Sequence, residues 1–387
     1  MKGVNIFKVL FYILIPVIIV SFGFWFVQVD KVYSVYVLDK TVPDNTYSEH
    51  KAFFWLLNYH KIINKTGQSY SYKKDYYGFH PVEGEDNTSY KIKSLRLYEI
   101  LGITDDIDFM YYADSYGVSY EDWYHRPPDK FHSPLMYGGL NQNDYLLLNE
   151  MRRKNKLIIS EFNMLGSPTS DLVRNKTENL FDFYWSGWTG SYFKSLHSSN
   201  PNLPRWVIDL YEQKYLKKWD FDNSGIVLIH EKGNILVLEN KTHLTSEYPQ
   251  IITDSYGQKE YELPEIQNYT FWFDIIAPGK TNKVVSKFQL PLSAAGIALL
   301  KKEKIPAEFP AVIEHLDRYK FYYFSGDFSD LSLSYYSSYF MGFPWLAKTF
   351  YLKNSNSKKA FYWRFYVPLI GHIIEKNVQD KKQKNSN

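Results

Sequence analysis

The sequence predicts an α/β domain, a three-layer sandwich around a mostly parallel central sheet, preceded by one N-terminal transmembrane helix. Three observations predict it. Val9 to Val27 is an apolar run without a charge, short β-branched and aromatic runs alternate with helical stretches, and several of those runs end in an acid.

Composition narrows the classes of function first. A chain of 387 residues with 45% hydrophobic content can fill one large or two ordinary domains. Its net charge of +3 comes from scattered basic residues, so no nucleic-acid partner is expected. Cysteine is absent, which excludes disulfides, thiolate metal sites and a cysteine nucleophile, and fits an oxidising compartment. The aromatic share of 19% reads either as platforms for sugar rings and interfaces or as a compositional bias toward Tyr, Phe, Lys, Asn and Ile.

In chain order, residues 1–8 carry Lys2 and Lys8, and residues 9–27 are long enough to span a bilayer. The bulky Phe24-Trp25-Phe26 exit argues against a cleaved signal peptide. By the positive-inside rule the N-terminus is cytoplasmic, so a single-pass membrane location with an extracytoplasmic domain is expected, the helix contacting lipid. Residues 31–330 form that domain and 331–387 an aromatic extension with a frayed polar tail. Lys31 to Leu38 reads as a first strand, Ser48 to about Ile63 as a capped helix, and Asn64 to Asn87 as a surface excursion. Ile92 to Leu101 is helical, Asp108 to Ala113 a strand, Asn141 to Asn155 a helix, and Leu157 to Ile159 a buried strand. A helix near Ser170 to Phe183 follows. Trp185 to Phe193 is a glycine-and-aromatic segment that either lines a pocket or packs a tight corner. Gly225 to Glu239 reads as a hairpin, Tyr269 to Ile276 as a strand, Ser293 to Lys302 as a helix, and Arg318 to Phe324 as the last strand, with a chain break at Ile305 to Pro310 between them.

The recurrent motif is a strand followed by an acid: Asp39, Asp114, Glu161 and Asp327. In a parallel sheet such ends converge on one rim, where α/β proteins bind ligands. Any one of these acids is equally an ordinary helix cap. Glu161, Asp114 and Asp39 are the candidate catalytic residues, since paired carboxylates suit glycoside hydrolysis. Lys40, His50, Tyr116, Gly138, Gly139, Trp185, Trp188 and Asp327 are the candidate ligand-binding residues around them, the two glycines because they permit positive φ or close backbone approach. Asp39, Glu49 and His50 could meet around a divalent ion. However, His50, His60, His80, His125, His132 and His230 fall in no strong metal spacing, and neither a metal nor a cofactor is expected. No phosphate loop and no Gly-x-Ser-x-Gly elbow is present.

A strand and helix, a strand near the Tyr137-Gly138-Gly139 turn, a helix, the strand ending at Glu161, a later hairpin and the closing Tyr322-Tyr-Phe-Ser-Gly-Asp327 run resemble the class I glutamine amidotransferase-like, flavodoxin-type layout. The elbow loop of that family's glutaminases holds a cysteine where this chain offers Glu161. The resemblance therefore implies a binding or structural module without glutaminase activity. The expected function is binding of a cell-envelope polysaccharide or other polar ligand; the alternatives are a carboxylate-dependent hydrolase and a scaffold of an envelope protein complex.

Overall fold

A computed structural model of the chain describes residues 6–82, 89–124, 133–351 and 356–386. Its centre is a ten-stranded sheet in the order Ile266–Asn268, Gln250–Thr253, Lys283–Gln289, Glu308–His315, Lys320–Phe324, Leu157–Ser160, Phe109–Asp114, Val35–Asp39, Tyr77–Pro81, Tyr90–Lys93. The helices Ser48–Tyr59, Leu97–Asp106 and Gln142–Arg153 separate the early strands in sequence, and crossovers of this kind allow parallel pairing. Four junctions are parallel, joining the strands from Lys320–Phe324 across to Tyr77–Pro81. The other five are antiparallel. The sheet is therefore mixed and not mostly parallel, which corrects the expected three-layer, flavodoxin-type layout. The physical reason lies in the connections: Tyr77–Pro81 to Tyr90–Lys93 and Glu308–His315 to Lys320–Phe324 are reversals that return the chain beside its own previous strand, and Lys283–Gln289, Gln250–Thr253 and Ile266–Asn268 extend the far edge antiparallel.

Two of those strands were hidden by proline and polarity. Glu308–His315 contains Pro310, yet it pairs on both sides, and its register with Lys283–Gln289 is irregular near Ser286. Tyr77–Pro81 falls in the stretch expected to be a surface excursion. Gly78 (φ +128°) lets it approach the neighbouring strand, since a Cβ there would lie 1.6 Å from the Asp39 carbonyl oxygen. A second, four-stranded antiparallel sheet runs Ile235–Glu239, Gly225–His230, Phe183–Phe193, Trp272–Pro278. The expected hairpin is present. The glycine-and-aromatic segment is neither pocket loop nor corner but a long strand, with a register shift between Trp185 and Thr189.

Helix Ser48–Tyr59 buries seven consecutive residues, Ala52 to Asn58. A helix buried all round needs cover on its outer face. The C-terminal segment supplies it: Lys358–Phe361, a π-helical turn Tyr362–Tyr366 and helix Val367–Ser386 join the same core. The tail expected to fray is helical to Ser386.

The apolar N-terminal run forms helix Ile6–Phe26. Its end is tied to the domain: the Trp25 indole N–H donates to the Asn58 carbonyl (3.1 Å), Lys61 lies over the Trp25 ring, and Ser21 Oγ donates to the Met341 carbonyl (2.7 Å). Among the described residues no helix is long and apolar enough to cross a membrane. The expected anchor at 9–27 and the single-pass location, with its cytoplasmic N-terminus, are corrected on that finding.

Candidate acidic rim at the strand ends

The parallel strands all point their C-terminal ends to one edge, and the acids arrive there together. Asp39 and Asp114 end adjacent strands and are register partners. Glu161 follows Ser160 on the next strand, and its N–H donates to the Tyr112 carbonyl (3.0 Å). Residues 326–333 then cross this edge as a strap, placing Asp327 and Asp330 over it.

Asp39 is fully buried at 0% exposure. Its Oδ2 lies 2.5 Å from His50 Nδ1, and its Oδ1 accepts the Thr41 N–H (2.8 Å). His50 Nε2 lies 2.7 Å from the Tyr72 carbonyl oxygen, which can only accept, so that nitrogen carries a proton. The Nδ1–Oδ2 contact is a close, fully buried hydrogen bond between His50 and Asp39. Burial raises the Asp39 carboxyl, and the His50 contact opposes it.

Asp114 accepts the Tyr116 N–H (2.7 Å). Burial, with neighbouring Asp39 adding to it, pushes its carboxyl up to about 8. Half-buried Glu49 is raised well above the usual carboxylate range by desolvation, then by Asp330, Asp327, Asp114 and Asp39. Half-buried Asp327 is raised in the same way, by desolvation and then Asp330, while Lys358 opposes the shift. Lys358 Nζ bonds Asp330 Oδ2 (2.8 Å); burial works against its charge, but Asp330, Asp327 and Glu49 more than offset it and raise it. One lysine thus faces several mutually repelling acids.

Glu161 is different. Its Oε1 accepts the Tyr111 hydroxyl (2.5 Å), which also meets the Tyr366 hydroxyl (2.8 Å), and its Oε2 accepts the N–H groups of Phe328 (3.2 Å) and Ser329 (3.1 Å). At 1% exposure it anchors the strap rather than facing an opening, although burial still pushes it up to about 7. Glu161→Ala strands three buried donors and is expected to cost about 3 to 5 kcal/mol in urea unfolding, against about 1 to 2 kcal/mol for Glu161→Gln, which keeps an acceptor. Equal losses from the two variants would show that these hydrogen bonds do not anchor the strap.

The other expected residues divide. Tyr116 is 48% exposed beside Asp114. Lys40 is buried and committed, its Nζ bonding Asp144 Oδ2 (2.5 Å) and the Gly139 carbonyl (2.7 Å). The glycines serve close approach to the chain itself: a Cβ on Gly138 would sit 2.5 Å from the Tyr116 carbonyl oxygen, and one on Gly139, at φ +71°, 2.9 Å from Pro168. Trp188 is buried with its ring edge-on to His230. Trp185 donates to the Trp188 carbonyl (3.0 Å), and its ring packs under the Arg174 guanidinium.

Asp274 was not foreseen. It accepts from Asn163 N–H (3.0 Å), Thr189 Oγ1 (2.9 Å) and the Tyr323 hydroxyl (2.9 Å), joining the two sheets, and burial pushes it up to about 6. A lone acid inside the apolar run Phe271 to Ile276 was its only signal. Among the described residues no group of three or more His, Asp or Glu side chains could hold a metal ion, Asp39, Glu49 and His50 included. His125 and His132 lie outside the described residues.

No family model and no curated protein matches the chain. Among solved structures it is similar to a ThuA-like protein from Bacteroides uniformis (8% identity, TM-score 0.33, covering 78% of this chain and 84% of that one). It is similar to another ThuA-like protein, from Parabacteroides merdae (9% identity, TM-score 0.35, covering 76% and 79%). A cold-adapted β-galactosidase from Rahnella sp. R3 is a third likeness (7% identity, TM-score 0.35); it covers 89% of this chain, which spans 31% of the galactosidase. Likeness at these TM-scores carries no argument about fold or chemistry. The resemblance to class I glutamine amidotransferase-like domains is accordingly corrected, since the mixed ten-stranded sheet departs from that layout.

Proposed function

We propose that this domain binds a polyhydroxylated polar ligand of the polysaccharide class at the rim formed by Glu49, Asp114 and Asp327, with Tyr116 as the exposed ring. The observation that supports it is the gathering of these carboxyls, two of them half-buried, beside an aromatic face that is open to solvent. Carboxyls bond sugar hydroxyls, and a tyrosine ring offers a flat apolar platform for the ring faces. Glutaminase chemistry has no place in this reading, because the chain holds no cysteine.

The test is a glycan array on the full chain, followed by titration of the best oligosaccharide. Asp327→Asn and Tyr116→Ala are each expected to weaken the dissociation constant by about tenfold, roughly 1.4 kcal/mol. Absence of any millimolar or tighter glycan binding would sink the reading. A second reading is a hydrolase, supported by one observation: burial pushes Asp114 up to about 8, which suits a general acid, whereas Glu49 and Asp327 are themselves raised and do not supply an ionised base. Release of reducing ends that is lost in Asp114→Asn is its expected signature. The scaffold reading draws on exposed Trp345, Leu346 and Phe350 of helix Phe343–Phe350.

A further inference from the structure

The segment that crosses the strand ends is held by two opposed sets of contacts. One set attracts. Asp327 N–H donates to the Trp272 carbonyl (3.0 Å), Phe328 and Ser329 N–H to Glu161, Ser329 Oγ to the Glu49 carbonyl (2.6 Å), and Leu331 N–H to the Ser48 carbonyl (3.4 Å). Phe328 packs on Phe361 and Phe365 of the C-terminal segment, with ring centroids 4.8 and 5.6 Å away. The other set repels: Asp327 and Asp330 are brought down onto Glu49 from the first buried helix, Asp114 from its strand end and Glu161 beneath, with Lys358 as the cation facing them.

Every element packed against the strap carries an ionisable group. The Ser48–Tyr59 helix presents Glu49 and His50, strand Val35–Asp39 Asp39, strand Phe109–Asp114 Asp114 and Tyr111, strand Leu157–Ser160 is followed by Glu161, strand Trp272–Pro278, bridged to Gly326, carries Asp274 and is preceded by Tyr269, and the C-terminal segment presents Lys358 and Tyr366. His50 is turned away to Asp39 and Tyr72, so it does not neutralise the strap's acids.

We propose that residues 326–333 are a proton-linked cover over the rim, closed while the facing carboxyls share protons and opened as those protons are lost. Closure puts Asp327 and Asp330 where each full negative charge adds repulsion that one lysine cannot balance, and relief requires the strap to lift against the packing of Phe328, Leu331 and Leu333. The strap joins the last sheet strand to the C-terminal helices without regular secondary structure of its own. The consequence for ligand access rests on the reading of the rim as the binding site. The movement itself does not.

The natural chain has no cysteine, so one introduced thiol is a unique reporter. Leu331→Cys places it at a position only 7% exposed, and Ser332→Cys at the exposed neighbour supplies the reference that cancels the pH dependence of the thiolate itself. Without ligand, the Leu331→Cys labelling rate relative to the Ser332→Cys rate is expected to rise about tenfold between about pH 5.5 and pH 8.5, since each proton released on opening contributes up to tenfold per pH unit. In the Asp327→Asn, Asp330→Asn background the ratio is expected to stay flat, and Lys358→Gln is expected to move the rise to lower pH. A ratio that does not change with pH, or a rise that survives the double substitution, overturns the cover. Where Leu331→Cys fails to fold, amide exchange of Phe328 and Ser329 in the natural chain, corrected for intrinsic rates, reads the same opening. Glycan titration is separate, so loss of either result leaves the other standing.

Discussion

A chain cut before Ser357 is expected not to fold. Phe361, Phe365, Tyr366, Leu369, Ile370, Ile373 and Ile374 are each at most 2% exposed, and they close the outer face of the buried helix that carries Phe53, Phe54 and Trp55. Burying one such side chain contributes about 1.5 to 3 kcal/mol, so seven together contribute about 10 to 20 kcal/mol. That matches or exceeds the roughly 5 to 15 kcal/mol by which a domain is stable. Expression followed by circular dichroism is the measurement, with insoluble or non-cooperative material the expected outcome. A cut after Lys382 removes only polar residues at the helix end and is expected to cost below about 1 kcal/mol. A cooperative, soluble chain ending at residue 356 would show that the C-terminal segment is dispensable.

Raising the pH is expected to destabilise the protein across the range in which most proteins are at their best. Asp274, Glu161 and Asp114 are pushed up to about 6, 7 and 8, and Asp39, Glu49 and Asp327 are raised as well, desolvation being the leading cause in each case. A folded-state value above the unfolded one means that the folded chain binds more protons. The resulting stabilisation is complete below about pH 4 and is lost as pH rises through about 6, 7 and 8. Each pKa unit corresponds to about 1.4 kcal/mol. A fall in melting temperature of roughly 5 to 10 °C between about pH 5 and pH 8.5 is the expected reading by differential scanning calorimetry. Asp274→Asn is expected to flatten the lower part of that slope. A melting temperature that climbs with pH over the same window would contradict the protonated rim.

The acids illustrate how much was legible. Asp39, Asp114 and Glu161 could be placed at strand ends because β-branched and aromatic runs stop at them, a local signal. Their meeting required parallel neighbours, and the central strands are parallel. The outer strands are not, because pairing direction is settled by how each reversal packs, which the strand's own residues do not state. Pro310 and Gly78 misled for the same reason: local propensity disfavours a strand at both, and tertiary pairing overrides it.

The sequence by itself determined what chemistry is excluded. Without cysteine there is no thiol nucleophile, no disulfide and no thiolate metal site, whatever the fold. It also determined that acids would end the early strands. Only the tertiary structure decided which of them can act. Glu161 is held by Tyr111, Phe328 and Ser329, partners up to 168 positions away, and Lys40 is held by Asp144, while Glu49 and Asp327 keep partly open faces. Burial and hydrogen-bond partners set the state of a carboxyl, and both come from residues that the local pattern cannot see.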